Sequence, residues 1–160
     1  MRNPTLTKAL SAYASANSAA LPPVVAVVRL YETAAAHLHQ ARDAARDGRF
    51  DAHFQAMDRA ITILLGLDSI LKLDKGGDVA ATLRRFYRSL VRQAGLAAAR
   101  RDPVAATEAI IRQLSFMTKA WQTIAAERGA VPSSTGASAK GSHASVIGRS
   151  MDHARGGLYG

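Results

Sequence analysis

The residues able to do chemistry are few, and their spacing is poor for it. Five histidines occur, at His37, His39, His53, His143 and His153. A metal site on a helix needs ligands three or four residues apart, but His37 and His39 are two apart and diverge. His53 has no acid or second histidine at a useful offset on its face. Glutamates number three, Glu32, Glu108 and Glu127, and none forms the Glu-x-x-His pair of carboxylate-bridged bundle metal sites. Cysteine is absent, which excludes a disulfide framework and thiol chemistry. The Lys75-Gly76-Gly77 turn is no phosphate cradle, because no strand precedes it and the lysine comes before the glycines. Asp68 alone among the acids projects onto an apolar stripe. It is either a catalytic carboxylate or a paired structural group bonded to Tyr31, Tyr87 or an arginine. With no nucleophile, base, metal site or cofactor site in view, the chain reads as a non-enzyme.

What remains is helices and their surfaces. The 160 residues are alanine-rich with 6% aromatics, the composition of one helical domain packed through small contacts. From the paired glycines, Asp78 is placed to cap a helix running to about Leu96. Val79, Leu83, Phe86, Tyr87, Leu90, Val91 and Ala94 line its apolar face, and Arg84, Arg85, Arg88 and Arg92 the other. An earlier helix runs from about Val24 to Asp47 on Val24, Val27, Tyr31, Ala34, Leu38 and Ala41, stopped by Gly48. The next, about Phe50 to Leu71, is apolar on two sides. Phe50, Phe54, Met57, Ile61, Leu64 and Leu65 make one stripe; Ile63, Leu67, Ile70 and Ala56 make another. Such a helix is deeply buried or lends its second side to a partner. The last helix opens on Asp102-Pro103, carries Thr107, Ile110, Ile111, Leu114, Met117, Trp121 and Ile124 inward, and ends near Gly129. Phe116 points away from that stripe and should be exposed.

These elements predict an all-α, antiparallel four-helix bundle over 22–128. An N-terminal strap over 1–21 precedes it, in which Leu6, Leu10 and Tyr13 are spaced for a short docking helical turn. Residues 129–160, rich in Gly, Ser and Ala and carrying Lys140, Arg149 and Arg155, read as a flexible basic tail. No window reaches the ~18 apolar residues of a membrane span. The early basic residues are followed by Ser, Asn and Pro rather than by a leader's apolar core. A cytoplasmic, soluble protein without membrane insertion is expected. The net charge of +9, from 21 Lys+Arg against 12 Asp+Glu, admits nucleic acid or another anionic partner without selecting one. Arg84, Arg88 and Arg92, stacked at successive turns, are the residues that reading would use. Nucleic acid is not expected, because Phe86 and Tyr87, which stand between these arginines in sequence, belong to the apolar side of the helix.

The order Ala12-Tyr13, Pro23, Leu30-Tyr31, Leu67-Asp68, Gly76-Gly77-Asp78-Val79-Ala80, Leu83, Tyr87 and Ala120-Trp121 resembles the flagellin export chaperones, the FliS family. Tyr31 follows Pro23 by 8 residues, as the family's Leu-Tyr follows its proline, and the likeness covers about residues 9–126. The chain departs from the pattern in having Pro22-Pro23 for the family's Ser-Pro, and in its positive charge. The resemblance implies an ATP-independent cytoplasmic chaperone with no cofactor. Such a protein binds the C-terminal segment of flagellin, blocks premature polymerisation, and delivers its client to a component of the flagellar export gate. It further implies that the client wraps the bundle in apolar grooves, part of which the strap tyrosine, here Tyr13, covers in the free protein. Periodicity adds Ile63, Leu67 and Ile70 as groove lining beside the third helix, with Phe86 and Phe116 as further apolar contacts.

Overall fold

The computed structural model describes residues 4–16 and 23–130; expectations for the tail from 131 to 160 and for residues 1–3 and 17–22 lie outside these residues. It contains five helices: α1 (Pro4–Ala16), α2 (Val24–Arg46), α3 (Phe50–Ser69), α4 (Leu73–Ala97) and α5 (Pro103–Ala130). Helices α2–α5 form the expected antiparallel ring, with α2 against α3 and α5, and α4 against α3 and α5. The strap is a full helix rather than a single turn, and α1 packs on α4 and α5.

Local chemistry sets the ends. Pro23 is extended (φ −49°, ψ 141°), and its carbonyl accepts from the Ala26 N–H at 2.8 Å, so it closes the start of α2 from just outside the first turn. After α2 the chain reverses on Gly48 at φ 70°. Its N–H donates to the Ala45 carbonyl at 3.1 Å, and that of Arg49 to the Ala44 carbonyl at 2.8 Å, a paired motif that satisfies the last open carbonyls of the helix. Asp102 caps α5 as expected, its Oδ1 accepting from the Ala105 N–H at 2.9 Å.

The start of α4 differs from expectation. A leading turn from Leu73 precedes the glycines, and the helix axis breaks at Gly77 (φ 51°, ψ −140°). Only glycine adopts that backbone cheaply. Among the described residues Asp78 makes no capping hydrogen bond, so the glycine joint rather than an aspartate cap defines this corner.

Small side chains let the helices approach. Ala34 and Ala41 of α2, Ala60 of α3 and Ala97 of α4 are fully buried between Leu38, Leu64, Leu90, Leu114 and Ile124. Two polar links cross this core. The His53 Nδ1–H donates to the Ala41 carbonyl at 2.9 Å, tying α3 to α2, so this histidine is a core bracket. The hydroxyls of Tyr31 and Tyr87 bond to each other in the bundle centre.

Burial pushes both phenols above the ordinary tyrosine value of 10.0. Because the folded-state values are raised, this contribution to stability is complete below pH 10 and is lost as pH rises further. Replacing Tyr31 by Phe strands the buried Tyr87 hydroxyl and should cost about 1–3 kcal/mol in urea unfolding. The double Tyr31→Phe/Tyr87→Phe variant should recover most of that loss. Equal stabilities of wild type and single variant would show that the pair contributes nothing.

Candidate functional site

Of the neighbouring helices in the ring, α4 and α5 approach each other least, and α1 packs against both. Leu10, Tyr13 and Ala14 turn into the seam between them and are buried, while Lys8 and Ala12 face outward. That is the amphipathic phase expected of a helix docked through a single stripe. Polar anchors flank this stripe. Arg128 of α5 reaches Ser15 Oγ at 2.9 Å and the Ser11 carbonyl at 3.5 Å. The Lys72 N–H donates to the Tyr13 hydroxyl at 3.4 Å, a long bond, and burial raises the Tyr13 pKa.

Tyr13 and the glycine corner fit each other. A Cβ on Gly76 would run into the Tyr13 ring and the Ala80 methyl, whereas at Gly77 the space is open and only the backbone demands glycine. The two adjacent glycines thus serve separate ends: one seats the tyrosine, the other bends the chain. Sequence reasoning used them as a helix break and as part of the family likeness, not as a seat. The seat was not legible because it depends on a ring 63 residues earlier in the chain.

The other expected contact residues are spread over the bundle. Phe86 is half-buried on the flank of α4 that faces α5, one side with Gln93, whose amide exchanges hydrogen bonds with that of Gln113 at 2.9 and 3.3 Å. Phe116, on α5, is 48% exposed. Ile63 and Ile70 are half-buried on the flank of α3 that carries Ala52 and Ala56 toward α2. Leu67 departs from expectation. It is 1% exposed and belongs to the core, because the α3 face holding Ala56, Ala60 and Leu64 is the one turned to the bundle centre. Leu67 therefore supports the surface from beneath and lines no open groove.

The stripe expected from Phe50 to Leu65 divides. Met57 and Leu64 are buried, Ile61 is half-buried, and Phe50, Phe54 and Leu65 are about half exposed at 52%, 55% and 49%. Asp68 resolves in favour of arginine: its carboxylate meets Arg84 Nε at 3.2 Å and Arg88 Nε at 3.6 Å. Among the described residues there is no grouping of potential metal ligands, and no helix is long and apolar enough to cross a membrane.

A helical ring with apolar side chains left on its flanks, and one loose seam covered by its own N-terminal helix, has the build of a polypeptide-binding protein. Residues 6–128 match the family model described as flagellar protein FliS, and the chain belongs to that family, the non-enzymatic export chaperones of flagellin. A comparison with curated proteins returned no match.

Proposed function

We propose that this protein holds the C-terminal segment of flagellin in the cytoplasm, prevents its premature polymerisation, and passes it to a component of the flagellar export gate. The carrying observation is α1, whose buried Leu10, Tyr13 and Ala14 fill a seam that α4 and α5 leave loosely closed. A short helix docked through one apolar stripe, with Leu10, Tyr13 and Ala14 buried, is one a client helix can replace. Tyr13 is the residue displaced, Phe86 and Phe116 meet the client along α4 and α5, and Ile63 and Ile70 extend the contact over the opposite side of the bundle. Of the three arginines the nucleic-acid alternative would use, Asp68 holds Arg84 at 3.2 Å and touches Arg88 at 3.6 Å, which lowers the net positive charge of that row.

The test is titration of the protein with a flagellin C-terminal peptide. Tyr13→Ala should tighten binding severalfold, since the apparent affinity is reduced by whatever fraction of the protein has α1 docked. Salt should change it little, as expected for apolar docking. Loss of affinity in Tyr13→Ala, or a steep fall with salt, would overturn this reading.

A further inference from the structure

The opposite edge of α4 carries a second surface that the client reading leaves unused. Contacts from Asp68 to Arg84 and Arg88 fix which flank of α3 faces α4. Counted at ~100° per residue from Asp68, the side chains of Leu65, Ile61, Phe54 and Phe50 continue along that same flank. Three of these four are about half exposed. On α4, Val91 and Gly95 continue the flank of Arg84 and Arg88 toward the far end of the bundle. A Cβ at Gly95 would meet nothing within 4 Å, so this edge is open. Three exposed large apolar side chains along one flank of a helix are more than incidental exposure.

Charge tells what would cover them. On the α4 side, from Val79 to Arg101, there is no acidic residue, while Arg84, Arg85, Arg88, Arg92, Arg100 and Arg101 all fall there; the exposed acids of this edge, Asp51 and Asp58, lie on the α3 side. Asp68 shows how the row takes a carboxylate, offered from the α3 side between arginines one turn apart. One turn further, α3 presents Leu65 and Ile61 where the next acid would be. Arg92 has no carboxylate within ion-pair reach among the described residues, and the Arg88 side chain, although it touches Asp68, is 66% exposed.

We propose that the α3–α4 edge binds an acidic amphipathic helix of a protein other than flagellin. Its apolar stripe lies on Phe54, Ile61 and Leu65, and carboxylates on one flank reach Arg88 and Arg92. The arginines select the flank charge and fix the direction of the helix; the phenylalanine and leucine supply the buried area.

The experiment uses the full chain and two labelled synthetic helices of about 18 residues, five turns long. Both carry the same leucine stripe, flanked in one by Glu and in the other by Gln. Fluorescence anisotropy at low salt should give about tenfold tighter binding of the Glu helix, with the margin shrinking at high salt. Arg92→Gln should weaken the Glu helix about threefold and leave the Gln helix unchanged, the size expected of one partly exposed ion pair. Phe54→Ser/Leu65→Ser should weaken both helices about tenfold; should that variant lose helicity, the Arg92→Gln comparison alone decides. Excess flagellin C-terminal peptide should leave the Glu helix bound. Equal affinity for the two helices, indifference to Arg92→Gln, or displacement by the flagellin peptide would overturn the proposal. So would displacement by mixed-sequence RNA with a steeper salt dependence, which would assign the edge to nucleic acid. A protein that binds the Glu helix but no flagellin peptide would refute the client reading and leave this one standing.

Discussion

Leu67→Asp should destabilise the fold severely. The side chain is 1% exposed, on the inward face of α3 with Ala60 and Leu64. An ionised carboxylate there would have no countercharge, because no lysine or arginine is buried among the described residues. Burying an unpaired charge in a close-packed core costs about 4 kcal/mol or more, a large part of the ~5–15 kcal/mol that stabilises a domain. The control is Leu65→Asp, two residues away and 49% exposed, for which less than about 1 kcal/mol is expected. Urea unfolding followed by circular dichroism separates the two. A Leu67→Asp protein with a near-native midpoint would mean that the α3 face is wrongly assigned. Loss of client binding in that variant carries no information about grooves.

Gly76→Leu releases α1 and leaves the other four helices folded. The new side chain occupies the place of the Tyr13 ring, and the leading turn of α4 can shift to spare Ala80 because Gly77 joins it to the rest of the helix. Undocking exposes Leu10, Tyr13 and Ala14, each larger side chain costing about 1.5–3 kcal/mol of lost burial, partly offset by the regained freedom of the released segment. Hydrogen exchange across residues 4–16 should rise to that of an open chain, while protection in α2, α3 and α5 is kept. Gly77→Ala should behave differently. It strains the backbone by about 1–3 kcal/mol and lowers the stability of the whole bundle without selectively freeing α1. Unchanged protection of α1 in Gly76→Leu would show that Tyr13 is not seated on the glycine.

Most of the architecture could be read from breakers and periodicity. Pro23, Gly48, Gly77 and the Asp102-Pro103 pair each mark a boundary, because backbone geometry at those residues is local and needs no partner. Phase along α3 was harder. Apolar residues occur around much of that helix, so spacing alone cannot choose which stripe turns inward. The choice is made by neighbours: the side bearing Ala56 and Ala60 allows α2 and the core to come close, which draws in Leu67 and leaves Phe50, Phe54 and Leu65 outside. Asp68 held a usable clue. A charged group on an apolar stripe marks that stripe's flank as reachable by an arginine, hence near the surface, and Leu65, Ile61 and Phe54 share its flank. The extent of α1 was legible only as three spaced apolar residues, since its stability comes from a seat built by α4 and α5.

That seat has a temporal consequence. Arg128 bonds to Ser15 and Ser11 across 113 and 117 residues of chain. During synthesis the first helix therefore emerges long before its berth exists, and its closure spans nearly the whole described chain. Contacts this distant are late to form and slow to be found. A nascent molecule can therefore complete the berth before α1 finds it, and a guest present at that moment would meet no competitor.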